Sequence, residues 1–202
     1  MEAKTLEALT QAVMEKVFVP LEASGRHVHI TAAQAKALFG HDLTQDRPLS
    51  QPGQFLSKER VTVKGPRGEL QNVAVLGPAR KEAQVEISLT DARSLGIQPP
   101  VRQSGDVQGS PGCTLIGSCG SVTLSRGVIA AKRHIHLKPE DGARFGVRDR
   151  QVVRLQTFTA RPAVFEDVIV RISPDFAAAV HLDYDEANAC GFQTGDWGRI
   201  LP

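Results

Sequence analysis

The chain has 202 residues, 41% of them hydrophobic and 23% charged, with a net charge of +2. That length buries a substantial core, in one domain or two small ones. The near-neutral charge, with one Trp and one Tyr, offers no basic, aromatic-lined face for nucleic acid, and no apolar run approaches the ~20 residues of a membrane helix.

From the N-terminus, Leu6, Leu9, Val13 and Val17 recur at near-helical spacing, which predicts an amphipathic helix within Met1 to Phe18, ended before Pro20. Glu2, Glu7 and Glu15 interrupt any apolar core there, so the segment is not a secretory signal. Packing against the body is the plain expectation for its apolar stripe; docking onto a larger assembly is the other. Next, Arg26-His27-Val28-His29-Ile30 reads as a strand and Ala32 to Phe39 as a short helix. Val61 to Val63 and Val73 to Leu76 flank Gly65-Pro66-Arg67-Gly68, a hairpin pattern. Gln84-Val85-Glu86-Ile87-Ser88 sets a carboxylate between β-branched residues, and a short helix fits Asp91 to Leu95.

Gln98 to Gly120 is rich in Gly, Pro and Ser and predicts loops. Val122 to Leu124 and Val128 to Ala130 flank Ser125-Arg126-Gly127, a second hairpin pattern. Pro139 to Phe145 predicts a helix with proline in its first turn. Val152 to Phe158 and Phe165 to Ile172 alternate as half-buried strands do, and a last short helix fits Asp175 to Ala179. Many short strands with few helices make this a mainly β, α+β chain. The three cysteines, Cys113, Cys119 and Cys190, have no CxxC spacing, which argues against a disulfide framework or thiolate zinc site and fits a reducing cytosol.

The first histidine strand is echoed by Arg133-His134-Ile135-His136-Leu137, and each copy is followed by a helical pattern ending in Phe-Gly. A repeat so widely spaced argues for two similar structural halves. Of six histidines, only His41 lies outside the two HxH pairs and His181. On a strand, residues i and i+2 share a face, about 7 Å apart, so each pair offers two imidazoles to one metal. A catalytic zinc usually takes three protein ligands. His181, in Val180-His181-Leu182-Asp183, completes one set, and Glu86 is the candidate for the other. Imidazole-rich ligands suit Zn, Co, Fe, Ni or Cu alike.

Several stretches together resemble the microcompartment-type phosphate propanoyltransferases. They are Ser24-Gly25-Arg26-His27-Val28-His29, Arg47-Pro48-Leu49-Ser50-Gln51-Pro52-Gly53-Gln54, Leu76-Gly77-Pro78-Ala79-Arg80, Gln84 to Ser88, and Pro100-Val101-Arg102-Gln103-Ser104-Gly105-Asp106. The second half adds Arg133-His134-Ile135-His136 and His181-Leu182-Asp183-Tyr184-Asp185-Glu186-Ala187-Asn188. The resemblance implies two small β-barrel domains capped by short α-helices, over residues 19–125 and 126–202, behind an N-terminal helix in 1–18. It implies two divalent metal ions, normally zinc, one held by His27, His29 and Glu86 and the other by His134, His136 and His181.

The resemblance further implies a cytoplasmic acyltransferase that moves a short acyl group between coenzyme A and phosphate. Arg80 would bind phosphate, and Ser24, Arg47, Leu76, Asn188 and His181 would contact coenzyme A. A homodimer or higher homo-oligomer is expected, and a microcompartment shell is the partner for the docking reading of the N-terminal helix. Gly25 stands where the family commonly has Asn, and Arg47 where it has Lys. Ser104, in a Ser-Gly-Asp turn pattern, is a second candidate for holding the reacting groups.

Direct attack of phosphate on the thioester is expected, because no cysteine has an adjacent histidine. Arg26 and Arg133 would hold anions or pair with structural acids. The main rival is a cupin-like metal enzyme, from the HxH-x3-E run His134, His136 and Glu140. Two features oppose it: Pro139-Glu140-Asp141 reads as a helix start, and the first copy has Ala33 at the matching place. A non-catalytic scaffold has only the N-terminal helix in its favour. An amidohydrolase barrel, which also uses HxH, needs about 250 residues.

Overall fold

Alternation of apolar and polar residues makes strands the main regular structure of this chain. The computed structural model describes residues 3–201, with side chains from residue 8 onward; Met1, Glu2, Pro202 and the Leu6 side chain of the expected stripe lie outside the described residues. In the first part of the chain come α1 (Ala3–Val17), β1 (Val19–Ser24), β2 (His27–His29), α2 (Ala32–Phe39), β3 (Gln45–Pro48), β4 (Phe55–Lys64), β5 (Glu69–Gly77), β6 (Gln84–Glu86), α3 (Leu89–Leu95) and β7 (Val101–Arg102). Then follow β8 (Cys113–Ile116), β9 (Ser121–Leu124), β10 (Val128–Ala131), β11 (His134–Leu137), α4 (Pro139–Phe145), β12 (Val152–Phe158), β13 (Val164–Ile172), β14 (Ala179–Asp183), α5 (Tyr184–Cys190) and β15 (Trp197–Leu201).

The chain divides into two compact units. One comprises Met1–Ser24, Arg133–Leu182 and Glu186–Pro202, the other Gly25–Lys132 with Asp183–Asp185. The first is a closed six-strand barrel in the order β1-β14-β11-β13-β12-β15. Val153 and Leu155 point into it while Val152 and Arg154 point out, and Val19, Ile135, Leu155, Val170 and Val180 fill its core. Closure leaves no sheet edge exposed to other chains.

The second unit is an open, curled nine-strand sheet, β7-β10-β6-β2-β5-β4-β8-β9, with β3 paired to β4. Its core gathers Val28, Leu38, Val63, Val75, Val85 and Leu95. The predicted hairpin joins β4 to β5, Val61 opposite Val73, and its turn is closed by Gly65 N–H donating to Gly68 O at 2.9 Å. Gly65 must lack a side chain, since a Cβ there would lie 2.4 Å from Leu95 O. Helix α2 covers the sequence-predicted span. Thr31 Oγ accepts from the Gln34 N–H, the Gln34 side chain accepts in return, and Ala35, Leu38 and Phe39 share the buried face.

Five features depart from the sequence expectation. Strand β1 hydrogen-bonds to β15, Val19 opposite Gly198, and β10 runs parallel to β6, Val128 opposite Val85, so the units interleave along the chain instead of following one another at residue 125. The second predicted hairpin does not form: β9 pairs back onto β8, and β10, buried along Val128, Ile129 and Ala130, serves as an interior parallel strand. The predicted loop over Gln98 to Gly120 contains β7 and β8.

Asp175 to Ala179 is not helical. Ala179 instead begins β14, opposite His136, because a single turn cannot recover its nucleation cost against an available ladder. Finally, α1 forms, but Leu9, Val13 and Val17 remain 55%, 54% and 44% exposed, so the stripe expected to pack on the body lies at the surface. No helix among the described residues is long and apolar enough to cross a membrane.

Candidate active site

Strand register converts each HxH pair into a three-residue cluster. In the open-sheet unit, antiparallel β2 and β6 set His27 opposite Glu86, His29 opposite Gln84 and Val28 opposite Val85. Opposed residues share a face, so the two imidazoles, the carboxylate and an amide project together while Val28 and Val85 enter the core. The barrel repeats the device: His134 lies opposite His181, His136 opposite Ala179, and Ile135 opposite Val180. His27, His29 and Glu86 each offer a ligand atom within 4.8 Å of the others, and so do His134, His136 and His181. Glu140 is exposed in the first turn of α4, outside both sets, which removes the structural basis of the cupin-like reading.

The first cluster is fully buried. His27 Nδ1 lies 2.8 Å from the Gly25 carbonyl, so this nitrogen donates and Nε2 faces Glu86 Oε1 at 3.6 Å. Burial disfavours a charged His27 ring, but the adjacent Glu86 carboxylate outweighs it and raises the imidazole pKa above 6.5. Burial also works against an ionised Glu86, yet the charge and hydrogen bond of His27 hold its carboxyl well below the usual range. His29 is pushed down to about 3, first by burial and then by the charges of His27 and Arg80. Its Nδ1 is buried without a hydrogen-bond partner among the described residues.

That orphaned nitrogen, a neutral imidazole and an ionised carboxylate match what a divalent cation requires. In the barrel, both nitrogens of His136 likewise lack hydrogen-bond partners among the described residues. Its ring stacks on Phe176 with centroids 4.0 Å apart, and its pKa falls to about 2, through burial and then the neighbouring His181, His134 and Arg171. Glu22 Oε2 stands 3.6 Å from His181 Nδ1, the placement of a carboxylate that orients a ligating histidine.

The two arginines before the HxH pairs are engaged within their own units. Arg26 Nη1 lies 3.3 Å from Asp91 Oδ1 of α3. Arg133 Nη1 lies 2.7 Å from Glu186 Oε1 of α5, and its Nε donates to Glu166 O at 2.7 Å. These geometries fit structural pairing.

Arg80 is placed beside the first cluster by the loop after β5. Phe55 packs over Gly77, where a Cβ would lie 2.1 Å from its ring, and the Gly77–Pro78 peptide is cis. The Arg80 N–H donates to Ile30 O at 2.8 Å, beside the end of β2. Arg80 Nη1 reaches Ser104 Oγ at 3.3 Å, and Gln84 Nε2 donates to the same oxygen at 2.8 Å. Ser104 thus sits both in a turn, closed by Asp106 N–H to Gln103 O at 3.0 Å, and against the cluster. Gln84 was not singled out from sequence, although its i, i+2 spacing to Glu86 placed both on one strand face.

Of the positions expected to contact coenzyme A, Arg47 lies opposite Leu56, and Leu56 opposite Leu76. That row across β3, β4 and β5 places exposed Arg47 and half-buried Leu76 on one face. Ser24 is half-buried at the end of β1, and Asn188 is exposed on α5. Two cysteines are poor nucleophiles: burial pushes the Cys113 thiol up to about 12 and raises that of Cys190. Cys119 is exposed.

A family profile described as phosphate propanoyltransferase matches residues 20–193. A protein named phosphate propanoyltransferase from Enterococcus faecalis is 55% identical over 183 residues, 90% of this chain and 87% of its own. Its namesake from Listeria monocytogenes is 50% identical over 198 residues, covering 97% and 93%. That of Thermotoga maritima is 49% identical over 181 residues, covering 88% and 86%.

Proposed function

The chain belongs to the phosphate propanoyltransferase family, a family of acyltransferases, and on that premise we propose that it exchanges a short acyl group between coenzyme A and inorganic phosphate with the help of divalent cations, one held in each unit. His27, His29 and Glu86 would hold one ion and His134, His136 and His181 the other, zinc being one of the metals such donor sets suit. The observation that carries this reading is the convergence of the His27, His29 and Glu86 ligand atoms within 4.8 Å, with Arg80 and Ser104 beside them. A divalent cation bound there supplies Lewis acidity and offsets anionic charge.

Phosphate is a multiply charged anion, and the thioester carbonyl oxygen gains negative charge on the way to the transition state. Arg80 presents a planar fork matched to phosphate oxygens. Ser104 Oγ accepts from Gln84 and Arg80 and its hydroxyl hydrogen-bonds the Glu86 carboxylate, which fixes it beside the ligand set and Arg80. A phosphate oxygen forms the new bond to the carbonyl carbon, the C–S bond breaks, and coenzyme A leaves as a thiolate that takes up a proton. The products are acyl phosphate and free thiol. The raised thiol pKa values of Cys113 and Cys190 favour this direct route over an acyl-enzyme. Exposed Arg47 and half-buried Leu76 on one face, with Ser24, Asn188 and His181, are the proposed coenzyme A contacts.

The test couples a metal count on purified protein to phosphate-dependent release of thiol from propanoyl-CoA. Two metal equivalents with phosphate-dependent release are expected. A fully metallated sample that leaves propanoyl-CoA intact in abundant phosphate would refute the proposal.

A further inference from the structure

Gln84 is 2% exposed, and its side-chain amide is fully engaged. Nε2 donates to Glu86 Oε1 and to Ser104 Oγ, the latter at 2.8 Å, and Oε1 accepts from the Gly105 N–H at 2.7 Å. Only one orientation of the amide satisfies all three partners, because a backbone N–H must meet the oxygen and a carboxylate must meet the nitrogen. Gly105 adopts φ +98, a backbone conformation that favours glycine.

One buried group therefore joins β6 to the Ser104 loop. We propose that Gln84 is a positioning residue: its amide holds the Glu86 carboxylate toward its two histidines and occupies a lone pair of Ser104, so that Arg80, Ser104 and Glu86 act as one preorganised unit. The inference rests on the metal-dependent phosphate acyltransfer reading above.

Two features make the role specific. Gln84 lies on the face shared by His27, His29 and Glu86, so its amide supports the ligand set from within and is not a distant packing contact. It is also neutral. A carboxylate in its place would repel Glu86 and compete with it for the Ser104 hydroxyl hydrogen. The barrel cluster has no counterpart in register, since Ala179 stands opposite His136 where Gln84 stands opposite His29. It therefore serves as an internal control.

Two variants of the full-length protein separate the roles. Q84M keeps length and volume but removes all three hydrogen bonds. Q84E keeps the acceptor for the Gly105 N–H but replaces the donor with a second carboxylate beside Glu86. Zinc affinity is measured by competition with a chromogenic chelator, and turnover by thiol release. Wild-type protein should take up two equivalents, and Q84M should hold one as tightly as wild type and the other 10- to 100-fold more weakly. The weakened equivalent should be the one that H29A abolishes.

Both variants should lower kcat about 10- to 100-fold, and S104A added to Q84M should cost little more than the worse single change. Unchanged affinity for both equivalents in Q84M overturns the link to Glu86. Wild-type turnover in Q84E, or losses in Q84M and S104A that multiply, overturn the link to Ser104. Wild-type protein that binds no zinc overturns the metal reading itself and the inference with it; two tight equivalents in both wild type and Q84M defeat the role of Gln84 alone.

Discussion

Replacing Glu86 by Gln removes one negative charge and little else. The amide keeps the carboxylate's shape and still offers an oxygen to Gln84 Nε2. In the metal-free protein, His27 Nε2 and Glu86 Oε1 lie 3.6 Å apart, both 9% exposed. Unit charges at that separation interact by about 5 kcal/mol at an effective dielectric constant of about 20, some three powers of ten in proton affinity. Without the carboxylate, burial dominates, and His27 should titrate below 6.5 instead of above it.

Because the folded-state pKa exceeds the unfolded one, the pair stabilises the metal-free chain below pH 6.5, and that contribution disappears as pH rises through the folded value. E86Q should remove this limb of the stability curve. Imidazole resonances followed by NMR across the titration read the first effect, and a metal count, falling from two equivalents to one, reads the consequence. A His27 midpoint unchanged in E86Q, or both metals retained at wild-type affinity, would refute the reasoning.

Four further outcomes are expected. R80A should lower turnover and raise the phosphate concentration needed for half-maximal rate, by about 10- to 100-fold in kcat/KM for phosphate; steady-state kinetics with varied phosphate check it. R133A breaks the 2.7 Å pair with Glu186, whose side chain is 17% exposed, and should cost about 1–3 kcal/mol in denaturant unfolding. In metal-free protein, His136 binds its proton near 2 when folded and near 6.5 when unfolded. Its contribution to stability is therefore lost as pH falls below 6.5, and H136F should flatten that acid limb by about 1.4 kcal/mol per pH unit. The paired change L9K and V13K, at residues 55% and 54% exposed, should shift stability by no more than about 0.5 kcal/mol, measured by thermal melting.

Much of this molecule can be read from local pattern. Helices α2 and α4 end where Phe-Gly predicts, because Gly40 and Gly146 take the left-handed conformation that closes a helix. Strand β12 forms over its predicted span with alternating burial, although Thr157 is buried and Phe158 exposed at its end. The HxH repeat announced two clusters, since period-two geometry puts both imidazoles of a pair on one face. Other features depend on which segments meet. Glu86 and His181 join their clusters through antiparallel register, and one residue of slip would turn either side chain to the opposite face.

The same dependence explains why β1 enters the barrel beside β15 and β10 enters the open sheet beside β6. Strand partners are chosen by edges that exist only once the chain has folded back on itself. Tyr184–Cys190 carries no strong helical signal and follows directly from β14, whereas 175–179 has the composition of a helix but yields to the ladder opposite His136. Short-range chemistry is written in neighbouring residues; long-range pairing, which builds the clusters, is a contest among distant segments that no local pattern records.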